Sequence, residues 1–133
     1  MRSIASIAAL VGALALASSA RAGTIASPAI TVGNGGTVIC TVANLGDTAI
    51  LMQVPTVFRS DGSSAGAFST CGGAFPRTLP PHQSCSIGAS ADPTVGTRLQ
   101  FNITFTGSAK KFRGLCNGTT PGGGFPEIVA EMR

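Results

Sequence analysis

The sequence predicts an all-β fold: a β-sandwich of about seven or eight short strands with two disulfides. Three observations predict it. After residue 22, apolar and polar residues alternate at period two in several short windows, and no window shows a 3.6-residue apolar period. Glycine and proline, 18 and 8 in the chain, fall mostly between those windows. Four cysteines, Cys40, Cys71, Cys85 and Cys116, all lie in this β-patterned part.

The chain begins with a different kind of segment. Met1 to Ala22 has the three parts of a secretory signal. Arg2 is a short positive start, Ile4 to Ala17 is apolar apart from Ser6 and Gly12, and Ala20-Arg21-Ala22 places small residues where a signal peptidase reads. The apolar run is shorter than the ~20 residues a membrane span needs, and no stop-transfer flank follows. Gly23, not Cys, follows the cleavage position, which argues against a lipid anchor. A signal peptide over 1–22 and a single domain over 23–133 are therefore expected. The mature protein is expected in the periplasm or outside the cell, with no transmembrane anchor.

Removing the leader changes the charge. The chain has nine basic and five acidic residues, a net +4. Arg2 and Arg21 leave with the leader, so seven basic residues remain against five acidic, a net +2. That is too mild for nucleic acid, which calls for a dense basic face. Residues 23–133 suffice to bury about two-thirds of their unfolded surface in one core.

The strands follow in order. Ala26 to Val32 is a weak candidate. Val38, Cys40 and Val42 alternate within Thr37 to Ala43, and Ile50, Met52 and Val54 within Thr48 to Phe58. Cys85, Ile87 and Ala89 form a third set. Leu99, Phe101, Ile103 and Phe105 form the clearest, with Gln100, Asn102, Thr104 and Thr106 facing the other way. Glu127 to Met132 is a last, weak candidate. Turn signals separate them: Gly33-Asn34-Gly35-Gly36, Asn44-Leu45-Gly46-Asp47, Ser60-Asp61-Gly62-Ser63, Pro80-Pro81, Asp92-Pro93 and Pro121-Gly122-Gly123-Gly124. Gly107-Ser108 reads as a two-residue hairpin turn of type II′. That hairpin would set Ile103 opposite Phe112 and Leu99 opposite Cys116.

An even cysteine count in an exported chain reads as two disulfides. Zinc ligands come in close pairs, whereas these cysteines are separated by 30, 13 and 30 residues, so no metal is expected. Cys40 and Cys116 are both inward by alternation, and Cys71 lies in a loop, Ser69 to Thr78, near Cys85 in sequence. The consistent pairing is Cys40–Cys116 with Cys71–Cys85. Cys85 is also inward by pattern, so Cys40–Cys85 stands as the rival.

Several stretches are familiar together. They are Val38-Ile39-Cys40-Thr41-Val42-Ala43-Asn44 with Gly46, Leu79-Pro80-Pro81-His82-Gln83-Ser84-Cys85, and Phe105-Thr106-Gly107-Ser108-Ala109-Lys110-Lys111-Phe112-Arg113-Gly114. They resemble a family of small secreted bacterial proteins of unknown function. Its pattern runs C-x-V-x-N, then C…L-x-P-G-x-S-C, then G-S-x-K-x-x-R-G. The resemblance covers most of residues 23–133 and implies an immunoglobulin-like β-sandwich. It implies no activity. Cys116 departs from the pattern, which places a cysteine near Phe101, so no disulfide pairing is carried over from it.

Chemistry-bearing residues are sparse. His82 is the only histidine; it lies between Pro81 and Gln83 in a turn leading into a strand and reads as a solvated loop residue, and no G-x-S-x-G elbow occurs. Asp47, Asp61 and Asp92 are turn residues. Glu127 and Glu131 read as solvated strand-edge charges rather than a glycosidase pair. Gly33-Asn34-Gly35-Gly36 precedes no helix and is no phosphate loop. Lys110, Lys111 and Arg113 are the possible anion-contact face, with Lys111 and Arg113 outward opposite Thr104 and Asn102; an anionic polysaccharide or envelope surface is what such a face would meet. Sugar-binding sandwiches commonly present flat aromatic platforms; this chain has neither Trp nor Tyr, and its seven Phe fall mostly at core-phase or loop positions, which counts against a carbohydrate-binding module. Asn102-Ile103-Thr104 and Asn117-Gly118-Thr119 match the glycosylation pattern by coincidence. The expectation is a non-catalytic exported sandwich without cofactor, monomeric, that binds a ligand or associates with the envelope. A pilus- or coat-like subunit is the alternative, and a hydrolase the weaker one.

Overall fold

The structure, a computed structural model, describes residues 22–92, 97–119 and 128–133. The leader up to Arg21, Pro93, the Pro121-to-Gly124 turn and Glu127 lie outside the described residues. Within them the chain forms twelve short strands. They are β1 (Ala22–Ala26), β2 (Ile30–Val32), β3 (Thr37–Asn44), β4 (Ile50–Met52), β5 (Thr56–Arg59), β6 (Ser64–Ala65), β7 (Phe68–Ser69), β8 (Arg77–Leu79), β9 (Ser84–Ser90), β10 (Thr97–Thr106), β11 (Phe112–Thr119) and β12 (Ile128–Met132). Two sheets result. One runs β12-β11-β3-β9-β7. The other is built around β10, with β1 and β2 along one edge and β4 and β5 along the other; β8 then pairs with β4, and β6 with β5. All the pairings are antiparallel.

The strand count exceeds the expected seven or eight because two long strands are broken beside β10 and because β6 and β7, of two residues each, add two more. Ala26 faces Asn102 and Ile30 faces Leu99, so three residues, Ser27 to Ala29, oppose two. Met52 faces Phe105 and Thr56 faces Asn102, so again three residues, Gln53 to Pro55, oppose two. Each is a one-residue bulge and each contains a proline, which has no N–H to give the ladder. Ser27 repairs the first: its N–H donates to the Phe101 carbonyl at 2.9 Å, and its hydroxyl oxygen accepts from the Phe101 N–H at 2.9 Å. The second bulge shifts the inward phase. Ile50, Met52 and Val57 are buried, whereas Val54, in phase with the first two by sequence, is 64% exposed.

Elsewhere the alternation is obeyed. Leu99, Phe101, Ile103 and Phe105 are fully buried on β10, and Val38, Cys40 and Val42 on β3. Ile87 and Ala89 on β9 close over them, with Cys85 half-buried. The rings of Phe105 and Phe112 meet between the sheets, 4.6 Å apart at 50°. On the outer side of β9, the Phe68 ring covers the bare Cα of Gly88, leaving no room there for a side chain.

The expected hairpin is not formed. β10 and β11 belong to different sheets, joined through a 3-10 turn over Ala109–Lys111. Gly107 has φ 146°, far from the value near +60° that starts a type II′ turn. Cys116 therefore faces Cys40 across adjacent strands, not Leu99, and Arg113 faces Ala43, not Asn102. The physical reason is that β10 has no free edge to offer, since β1, β2, β4 and β5 occupy both.

Both disulfides pair as expected. Cys40–Cys116 links register partners within one sheet, with Cα atoms 3.9 Å apart. Cys71–Cys85 has Cα atoms 4.8 Å apart, and the Cys40–Cys85 rival is excluded. The stretch from Ser69 to Thr78 is not all loop: it starts at the end of β7 and runs into β8. The chain leaves the first sheet after β7, enters the second as β8 and returns as β9, and Cys71–Cys85 ties off that excursion.

Candidate functional site

Three places on the surface bring together side chains that distant segments supply. The first is the seam between two turns, where Asn44 is fully buried. Its amide nitrogen donates to the carbonyls of Thr48 (2.8 Å), Leu79 (3.1 Å) and Pro80 (3.1 Å), and its side-chain oxygen accepts from the Gly46 N–H (2.9 Å). Asn44 thus welds the β3–β4 turn to the β8–β9 turn. By residue type it belongs to a turn signal. The signal for its real place is its phase, since it continues the inward series Val38, Cys40, Val42.

Next to that seam, Pro80-Pro81-His82-Gln83 makes a turn closed by the Gln83 N–H on the Pro80 carbonyl at 3.4 Å. His82 has φ 57°, the left-handed conformation that the third position of a type II turn requires and that glycine adopts without strain. Its ring nitrogen lies 3.2 Å from the Asp47 carboxylate, with the two side chains 67% and 90% exposed. This is a solvated surface pair, as the turn position implied. Among the described residues no group of three His, Cys, Asp or Glu side chains comes together.

The second place is the expected anion-contact face. Lys110 and Lys111 sit on the 3-10 turn and are exposed, and the Lys111 carbonyl accepts from the Leu45 N–H at 2.7 Å. Arg113 is on the outward side of β11, over a shallow apolar depression that it lines with Thr41, Ala43, Gly114, Leu115 and Glu131. Thr104 and Asn102, the residues expected opposite, are on the other sheet. The three cations are therefore spread over a turn and a sheet face. A carboxylate, Glu131, stands beside Arg113, and itself bonds Arg133 at 3.4 Å.

The third place has no local signal in the sequence. A cleft of about 260 Å³ opens on the β10 sheet, lined by Ala29, Phe58, Arg59, Ser60, Arg98 and Gln100. The register makes it. Phe58 faces Gln100, Arg59 faces Leu99, and the first bulge brings Ala29 alongside. Arg59 is fixed by donating to the Ser64 carbonyl at 2.8 Å, and Arg98 is exposed. No carboxylate lines the cleft. The nearby Asp61 is engaged elsewhere: the Ser63 hydroxyl (2.7 Å) and N–H (2.9 Å) both donate to it and hold its carboxyl below its usual range, with Arg59 a lesser contributor. In sequence Arg59 and Arg98 are unconnected; only the β5–β10 register joins them.

No protein-family model, curated protein or solved structure matches this chain. No helix among the described residues is long and apolar enough to cross a membrane.

Proposed function

We propose that this chain is an exported, non-catalytic β-sandwich that binds a ligand or associates with the envelope through its surface. The observation that carries the reading is the complete pairing of the four cysteines, since such bridges form and persist in oxidising compartments. The secretory pattern of residues 1–22 agrees with it. The family resemblance and its immunoglobulin-like topology belong to the same proposal. They come with one difference: Cys40–Cys116 joins neighbours in one sheet, where antibody domains bridge their two sheets.

A pilus- or coat-like subunit would donate a free N-terminal strand to a neighbour. Here β1 and β2 are already paired with β10, which favours the self-contained binding module. Intact-mass analysis of the exported fraction tests the proposal. The product should begin at Gly23 and weigh four hydrogens less than its reduced form. A cytoplasmic product that keeps Met1 and free thiols would overturn it.

A further inference from the structure

We infer that the Arg59–Arg98 cleft is a binding site for an acidic saccharide unit, a carboxylate or sulfate displayed on a sugar ring. This rests on the binding-module reading and names its ligand. Two arginines, Arg59 and Arg98, line one small cleft without a carboxylate among its walls. Guanidiniums present planar forks of N–H donors that match oxyanions in pairs, and they are less tightly hydrated than ammonium groups. Arg59 is already held by the Ser64 carbonyl, so little ordering is needed when a ligand arrives. Ser60 and Gln100 add a hydroxyl and an amide, which suit ring hydroxyls. The Phe58 ring on one side of β10 and the Ala29 methyl on the other give apolar flanks to the cleft.

The surroundings favour a sugar chain over a lone ion. From the cleft, the outward side of β10 continues as Arg98, Gln100, Asn102 and Thr104. At ~3.3 Å per residue this polar track is about 20 Å long. Thr31 and Thr24 flank it on one side, and Phe58 and Thr56 on the other. Recognition would rest on charge and hydrogen bonds, since the chain has no Trp or Tyr for the aromatic platform common in sugar-binding sandwiches. Lys110 and Lys111, though also basic, sit exposed on the 3-10 turn.

The test uses the disulfide-bonded mature protein at low ionic strength, where exposed charges are least screened. Amide shifts by NMR are followed while adding an oligouronate, a sulfated oligosaccharide, a neutral oligosaccharide of equal length, and inorganic sulfate. Both acidic saccharides or one of them should move the amides of Phe58, Ser60, Arg98 and Gln100, and which one binds identifies the anionic group. The neutral saccharide should not bind. Arg98→Gln should weaken binding at least tenfold, while Arg98→Lys, which keeps the charge but loses the fork, should fall between. Lys110→Gln with Lys111→Gln should leave the affinity unchanged. Absence of any acidic-saccharide binding at millimolar concentration overturns the inference, as does binding lost with the two lysines rather than with Arg98. Inorganic sulfate binding as tightly as the saccharides overturns the saccharide class. None of these outcomes bears on export, which the mass of the exported product decides separately.

Discussion

Replacing Asn44 by aspartate changes almost no volume and reverses the chemistry of the buried seam. In the native protein two amide hydrogens serve three carbonyls, those of Thr48, Leu79 and Pro80, while the side-chain oxygen takes the Gly46 N–H. Asn44→Ala removes all of this. Four hydrogen bonds at a net ~1 kcal/mol each give an expected loss of at least about 4 kcal/mol, and more where a carbonyl is left buried and unsatisfied. Asn44→Asp keeps the Gly46 contact but turns a second carboxylate oxygen toward carbonyl oxygens. Ionised, it is an uncompensated buried charge, which adds several kcal/mol to the loss. Protonated, it can donate one hydrogen bond back to the seam.

Burial and the facing carbonyls therefore raise the folded-state pKa of the introduced carboxyl above the ~3.9 of an unfolded aspartate. The native form of the variant binds the proton more tightly than the unfolded form. Its stability is then greatest below about pH 4, falls as pH rises through the raised folded value, and levels off above it. Asn44→Ala adds no slope of its own. The assay is urea denaturation followed by far-ultraviolet circular dichroism, because the chain has no Trp or Tyr for fluorescence. At pH 7 the aspartate variant should be the less stable of the two, and the difference should shrink toward pH 4. An aspartate variant within about 1 kcal/mol of the parent at pH 7, or a difference that does not shrink on acidification, would refute the hub.

Two further outcomes follow from the turns and bridges. Cys116→Ser should lower the denaturation midpoint more than Cys71→Ser, because the chain-entropy contributions of the two bridges are ~4.5 and ~3 kcal/mol and a hydroxyl would replace a fully buried sulfur; the reverse order of midpoints counts against it. His82→Gly should match or exceed the parent in stability by up to about 1 kcal/mol, as relief of the left-handed strain outweighs the added freedom of the unfolded chain. His82→Ala keeps the strain and should be neutral, so a glycine variant clearly less stable than the alanine variant would show that the turn carries no strain at this position.

Alternation revealed which residues face the core, but it carries no record of which sheet they face it from. Leu99, Phe101, Ile103 and Phe105 were legible because a one-residue slip would expose all four at once. Cys40 and Cys116 were legible for the same reason, and the short span from Cys71 to Cys85 made their pairing readable. The β10–β11 connection was not. A hairpin within one sheet and a crossing between two sheets both bury Phe105 and Phe112, so the pattern is the same for either. What separates them lies elsewhere in the chain: the segments Ala22–Ala26 with Ile30–Val32, and Ile50–Met52 with Thr56–Arg59, take both edges of β10. Once those edges are filled, β11 can hide Phe112 only from the opposite sheet.

The same occupation of β10 creates the cleft. A strand paired on both edges exposes its outward side chains as a continuous track, and bulges at its neighbours open gaps beside it. Pro28 and Pro55 are conspicuous in the sequence as strand breakers, yet their common effect appears only when both broken strands are laid against β10. The first bulge leaves Ala29 on one side of Gln100, and the second keeps Val57 inward, so that Phe58 lies outward on its other side. Had either neighbour run unbroken, its phase past the proline would be reversed; for the second, that would place Phe58 in the core and Val57 on the surface. The prolines that interrupt the sheet are thus part of what composes the cleft lined by Arg59 and Arg98. Arg59 and Arg98, 39 positions apart in sequence, line one cleft because β5 pairs with β10, a pairing that no local pattern encodes.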